Sequence, residues 1–318
     1  MKALIGILAV ATASAALAAV PPRPAITGIS HIAVYAAAPA KSEHYYVHDL
    51  GAVKGADPEN PQGVRYYFSS TQFVEVLPLP VTERPARESP TGTSINRLDH
   101  VAFTTRDVRA LRAYLVASSV TVTQAIRNGS DDSQWLEVID PEGNRIEFMQ
   151  LPPGKRALPE VPPNPLSSHI IHVGFIVHDR GREDAFFRTV LGFRPYWHGG
   201  MQDNQTNWIS QQVPDGTDWL EYMIVGTPEG HGIPPDMKAA TLGVLDHFSL
   251  GVPSAENAYT LLWKGDRLQG QTELPKIGRD AKWQLNLFDP DGTRTEIMEF
   301  HAVGTPCCSP FTASDPTR

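Results

Sequence analysis

Four short stretches of the chain open alike, with apolar residues set around a single histidine. They are Ile29-Ser30-His31-Ile32-Ala33-Val34, Leu98-Asp99-His100-Val101-Ala102-Phe103, Ile170-Ile171-His172-Val173-Gly174-Phe175 and Leu245-Asp246-His247-Phe248-Ser249-Leu250. Such short apolar runs predict β-strands. A small residue follows each histidine by two places, and successive histidines are 69, 72 and 75 residues apart. Spacing this regular marks an internal repeat of about seventy residues.

Each repeat ends in a second strand-like segment built around a glutamate: Phe73-Val74-Glu75-Val76-Leu77, Arg145-Ile146-Glu147-Phe148-Met149, Trp219-Leu220-Glu221-Tyr222-Met223 and Thr295-Glu296-Ile297-Met298. The histidine-to-glutamate separations are 44, 47, 49 and 49 residues. In repeats two and four a tight turn precedes the glutamate strand, at Asp140-Pro141-Glu142-Gly143 and Asp289-Pro290-Asp291-Gly292, where Pro fixes φ and Gly permits φ > 0. Repeat three has Val213-Pro214-Asp215-Gly216 with one extra residue, and repeat one lacks the signature. Between histidine strand and turn the apolar spacing becomes helical, as in Val108, Leu111, Leu115 and Val116 within 107–118, and likewise over 183–191 and 255–263. The unit is therefore strand, helix, then about three strands, which gives an α+β fold.

Residues 151–168 contain Leu151-Pro152-Pro153-Gly154 and Val161-Pro162-Pro163-Asn164-Pro165, too much proline for a helix or a central strand. They divide the chain into two domains of two units each, 26–150 and 169–301, followed by a Gly/Pro/Ser/Thr-rich tail, 302–318, expected to be flexible. Cys307 and Cys308, the only cysteines, lie in that tail and are expected to have no part in the fold. Residues 1–19 carry one lysine, a short apolar run and small residues before Val20-Pro21, the pattern of a cleaved secretory signal and shorter than the roughly 20 apolar residues of a membrane span. The expected location is secreted or periplasmic. With 41% hydrophobic residues, a net charge of −8 and interspersed signs over 318 residues, the chain is globular and offers no basic stripe for nucleic acid.

With these repeats in view, the sequence resembles the vicinal oxygen chelate superfamily, which includes glyoxalase I, type I extradiol dioxygenases and the bleomycin-resistance proteins. The resemblance runs from about Ile26 to Phe300. It implies four βαβββ modules paired into two cup-shaped domains, with the histidine and glutamate of each module projecting into a cup. Alternation along a strand agrees, because His31 and Ala33, His172 and Gly174, or His247 and Ser249 share a face. Two ligand quartets follow: His172, Glu221, His247 and Glu296 in the second half, and a possible second site of His31, Glu75, His100 and Glu147 in the first. Imidazole and carboxylate together suit Zn, Fe, Mn, Ni or Co, leaving positions for a small-molecule substrate.

Three activities fit that resemblance. A glyoxalase-like lyase or isomerase would use all four ligands of the second quartet, with Glu221 or Glu296 as the proton-moving base. A ring-cleaving dioxygenase would hold Fe(II) with His172, His247 and Glu296; against it, Glu221 and Asn286 stand where that family has its catalytic His and Tyr. His198 and His231, each in a Gly-rich stretch, are read as surface residues rather than substitutes. A non-catalytic binding protein would enclose its ligand between Trp197, Trp208, Trp219 and Trp283. The first is the leading expectation, with no membrane or nucleic-acid partner and the oligomeric state open.

Overall fold

The computed structural model describes residues 20–78, 98–122, 124–152, 154, 165–225 and 245–317. The first module comprises β1 (Ile26–Ala36), α1 (Pro39–Glu43) running into a wider π-helical turn (His44–Asp49), β2 (Val53–Ala56), β3 (Val64–Tyr67) and β4 (Phe73–Pro78). The second has β5 (Leu98–Thr105), α2 (Val108–Ala117), β6 (Arg127–Asn128), β7 (Gln134–Ile139) and β8 (Arg145–Gln150). The third has β9 (Ile170–Val177), α3 (Arg180–Asp184) with its own π-helical turn (Ala185–Val190), β10 (Arg194–Gly199), β11 (Trp208–Gln212) and β12 (Trp219–Ile224). The fourth has β13 (Leu245–Val252), α4 (Ala255–Lys264), β14 (Lys276–Ile277), β15 (Trp283–Phe288) and β16 (Arg294–Glu299).

These are four βαβββ modules in two eight-stranded sheets, ordered β2-β3-β4-β1-β5-β8-β7-β6 and β10-β11-β12-β9-β13-β16-β15-β14. Within a module the first strand pairs parallel to the last, and two modules join through antiparallel pairing of their first strands. Side-chain caps start three of the helices: Asp107 accepts from the Ala110 N–H, Asp179 from Arg182 and Ser254 from Asn257. Gly143 and Gly292 close their turns at φ of +92° and +88°, the conformation the Asp-Pro-x-Gly pattern predicts.

Alternation places Ile32, Val34, Val101, Phe103, Val173, Phe175, Phe248 and Leu250 on the core side, all buried in one continuous cluster. The histidines consequently face the other way, into the concave side. Register then explains the small residue two places on. Ala33, Ala102, Gly174 and Ser249 stand opposite Glu75, Glu147, Glu221 and Glu296 in the parallel pairs. Across the antiparallel seams, Ala33 and Ala102 stand opposite His100 and His31, and Ser249 stands opposite His172. Each small residue thus makes room between a histidine and a glutamate. At Gly174 the need is steric, because a Cβ there would come within 2.3 Å of the His247 ring.

The tail departs from the expectation of flexibility. Its residues lie against the second sheet, with Thr312 N–H donating to Tyr196 O, Ser309 Oγ donating to His198 O, and the Asp315 carboxylate 2.9 Å from Lys282 Nζ. Cys307 and Cys308 are joined to each other. Low-complexity composition does not reveal such docking, since it depends on partners as far as 119 and 148 residues away, Tyr196 and His169. Among the described residues no helix is long and apolar enough to cross a membrane. The segment read as an export signal and His231 lie outside the described residues.

Candidate metal centre in the C-terminal cup

In the second domain β9 and β13 bring His172 and His247 together edge-on, with Nε2 atoms 2.8 Å apart. Glu296 Oε2 approaches His172 Nε2 at 3.2 Å and His247 Nε2 at 3.9 Å, while Glu221 Oε2 lies 3.5 Å from His247 Nε2. His172, His247 and Glu296 offer ligand atoms all within 4.8 Å of one another; Glu221 stands just outside that group. The Trp219 ring stacks on His172 at 4.4 Å between centroids and fixes its plane. Arg294 Nη2 lies 2.8 Å from His247 Nδ1.

The two carboxylates occupy unlike environments. Burial, then the charge of Glu296, push the Glu221 carboxyl up to about 8. Burial alone would raise Glu296 too, but the approach of His172 and the charge of His247 outweigh it and hold that carboxyl at about 2. Burial also lowers His172 to about 4, keeping its imidazole neutral. Ser210, opposite Glu221 in the β11–β12 register, donates to Glu221 Oε1 at 3.0 Å and leaves Oε2 turned toward His247.

These residues fit a divalent ion. Glu296 Oε2 is buried with no hydrogen-bond partner, the Nε2 atoms converge, and Gly174 keeps their space clear. Neutral imidazole with carboxylate is the donor set of Zn, Fe, Mn, Ni and Co sites. Above the cluster opens a cavity of about 320 Å³ whose wall includes Trp197, Met201, Trp208, Met223, Ile277 and Met298, with Glu221, His247 and Glu296 at the base. Lys276, Arg279, Asp280, Gln284 and Arg294 share that wall, so the cavity combines apolar surface with several charged groups, a form suited to a small polar molecule.

The first domain repeats the arrangement with other neighbours. His31 and His100 have Nε2 atoms 2.9 Å apart, and Phe73 stacks on His31 as Trp219 does on His172. Glu75 Oε2 lies 3.5 Å and Glu147 Oε1 3.7 Å from His31 Nε2. All eight histidines and glutamates singled out by spacing therefore gather in two fours.

Position 198 carries an exposed histidine at the end of β10, outside the cavity wall, as expected of a surface residue. Trp197 and Trp208 line the cavity, Trp219 stands behind His172, and Trp283 does neither. Sequence reasoning missed Ser210, Arg65 and Glu59, and also Lys282, which is fully buried with Nζ 5.1 Å from the Trp219 ring and bonded to Phe300 O and Asp315. The register opposite each glutamate, Arg65, Glu137, Ser210 and Asn286, would have identified two of them. That register requires strand pairings the spacing alone does not give.

The fold and the two histidine-glutamate fours are those of a vicinal oxygen chelate protein. The chain belongs to the Glyoxalase/Bleomycin resistance protein/Dioxygenase superfamily, whose profile matches residues 28–148 and 169–297. Among solved structures it is similar to homoprotocatechuate 2,3-dioxygenase from Brevibacterium fuscum in complex with 3,4-dihydroxyphenylacetate. There the identity is 17% and the TM-score 0.61, over 92% of this chain and 86% of that one. It is also similar to the Mn(II)-bound glyoxalase from Novosphingobium aromaticivorans, at 15% identity and a TM-score of 0.62, over 87% of this chain and 83% of that one. At these identities the likeness is one of fold. No curated protein matches by sequence.

Proposed function

We propose that the C-terminal cup is the reaction site of an exported, metal-dependent enzyme with glyoxalase-like lyase or isomerase chemistry on a small oxygen-bearing substrate. The observation that carries this reading is the pair Glu221 and Glu296. Glu296 sits within the tight His172, His247 and Glu296 group while Glu221 stands just outside it, so the two carboxylates are placed for different work, one to hold the ion and the other to move a proton. As the outermost of the four ligands, Glu221 is the carboxylate that can leave the ion and act as the general base. Ser210 orients it through Oε1, so the proton moves at Oε2, on the His247 side. Glu296 stays ionised and supplies fixed negative charge beside the two imidazoles. A divalent metal held by His172, Glu221, His247 and Glu296 would supply Lewis-acid polarisation of the substrate's oxygens. Trp197, Trp208 and the methionines offer apolar surface to the carbon skeleton of the substrate.

A second reading draws on the compactness of His172, His247 and Glu296, which match a two-His-one-carboxylate set for Fe(II) and an extradiol ring cleavage. Asn286 and Glu221 on the adjoining strands supply neither the His nor the Tyr of that chemistry.

One experiment separates the two. The purified protein, loaded in turn with Mn(II), Zn(II) or Fe(II), is incubated with α-hydroxycarbonyl compounds in deuterated buffer without oxygen, and with catechols while oxygen uptake is recorded. Deuterium incorporation lost in Glu221→Gln supports proton transfer. Oxygen uptake restricted to the Fe(II) form replaces it with the dioxygenase. Neither signal, with tight binding of an organic ligand, makes the protein a binding module. Export is tested by sequencing the N-terminus of the protein from culture fractions, with a start near Ala19 or Val20 expected.

A further inference from the structure

The N-terminal cup contains more buried acid than its module repeats account for. Besides Glu75 and Glu147 it receives Glu59, from the loop between β2 and β3, a position that the histidine-glutamate repeat does not include. Ligand atoms of His31, Glu59, His100 and Glu147 all lie within 4.8 Å of one another. Arg65 holds this loop in place: its guanidinium bonds Glu59, and its Nε lies 3.2 Å from Asp57 Oδ1, which also accepts the Glu59 N–H at 2.8 Å.

Arg65 does not satisfy the centre of the cluster. Both oxygens of Glu147, which is 0% exposed, and Oε2 of Glu75 lack any hydrogen-bond partner, yet they lie 3.5 to 3.8 Å from the two Nε2 atoms. An ionised carboxylate in such a place costs several kcal/mol unless it takes up a proton or a cation joins it, and two converging imidazole nitrogens beside it make the cation the better partner. The histidines are also prepared. Asp99 Oδ2 lies 2.7 Å from His100 Nδ1, and Ser30 Oγ lies 3.2 Å from His31 Nδ1. Partners of this kind on the outer nitrogen keep Nε2 available for a metal and fix the plane of the ring.

We infer that the N-terminal cup is a second divalent-metal site, completed by Glu59 as a ligand from outside the repeat and serving stability rather than turnover. Four or five protein donors leave little room for a bidentate substrate, which is the mark of a structural site rather than a reactive one. The wall above is charged and self-paired, with Arg145 bridging Asp99 and Glu137, and has no counterpart of the Trp197, Trp208 and methionine surface of the other cup. This inference does not depend on the reaction proposed for the C-terminal cup.

The test is metal stoichiometry of the full mature chain, stripped and reloaded with Zn(II) alone, read by mass spectrometry together with thermal unfolding. The wild type should hold two ions, and His172→Ala one. Glu59→Gln, close in size and shape, should release the N-terminal ion at least about tenfold faster and shrink the Tm gap between loaded and stripped protein. His31→Gln, its fold checked by circular dichroism, should remove that ion altogether. A wild type holding one ion or none, or two ions released from Glu59→Gln at the wild-type rate, would overturn the assignment.

Discussion

The two cups are built on one plan and differ in what faces the glutamates. In the C-terminal cup Ser210 and Asn286 stand opposite Glu221 and Glu296; in the N-terminal cup Arg65 and Glu137 stand opposite Glu75 and Glu147. A small neutral residue leaves space above the metal ligands. A buried Arg fills that space and brings Asp57 and Glu59 with it. The histidine and glutamate of each module come from its first and last strands, and the use made of them from the third strand and, in the N-terminal cup, from the loop before it. Retention of a histidine-glutamate four is therefore no sign of turnover by itself.

The largest expected effect comes from removing a central ligand in each cup. His172→Ala should lower kcat/KM by at least about 10⁴-fold, roughly 5.5 kcal/mol, while His31→Ala stays within about threefold; steady-state kinetics under metal saturation measures both. Next is Arg65→Met, which leaves Asp57 and Glu59 as unpaired buried acids and should cost about 3–5 kcal/mol in urea unfolding. No substitution at Ser210 should approach that. Third, Glu221→Gln should reduce turnover about 10²-fold while His172, His247 and Glu296 still hold the ion, more weakly than in the wild type, whereas Glu75→Gln should leave turnover alone.

The smallest effect concerns how the domains meet. The turn at 289–293 is well served by the other domain, with the Tyr46 hydroxyl donating to Asp289 and the Ala37 N–H to Asp291. At the counterpart turn Glu142 accepts from His178 and Asp179, but Glu183 is left buried beside it, with Oε1 unpartnered. Burial, then the charges of Asp140 and Glu142, push Glu183 to about 9 from an ordinary 4.5. The folded state thus holds a proton that the unfolded chain has released. That stabilisation is whole below about 4.5 and is lost as pH rises through about 9. Glu183→Gln should flatten the slope, gaining about 1–2 kcal/mol at pH 9 and nothing at pH 4, as read from unfolding curves across that range.

Much of this molecule was legible in its sequence because the repeat is the fold. Histidine and glutamate spacing located the first and last strand of every module, and alternation gave the face on which they meet. The small residue after each histidine was visible, though its purpose, space between a cross-strand histidine and glutamate, required the register. Arg65 and Glu59 were not legible, because repeat one has lost its turn signature and a cation in a short strand reads as solvent-facing. Lys282 was hidden likewise: its burial depends on Phe311 and Asp315 of the tail, whose composition suggests no attachment.

The central claim, that one cup reacts while the other only holds its ion, is tested most directly by chelation. Zn(II) release from the loaded wild type is followed alongside activity and Tm. The account predicts two phases: activity disappears with the first ion, from the C-terminal cup, and most of the Tm falls only when the second departs. One phase, in which activity and Tm decline together, would contradict it.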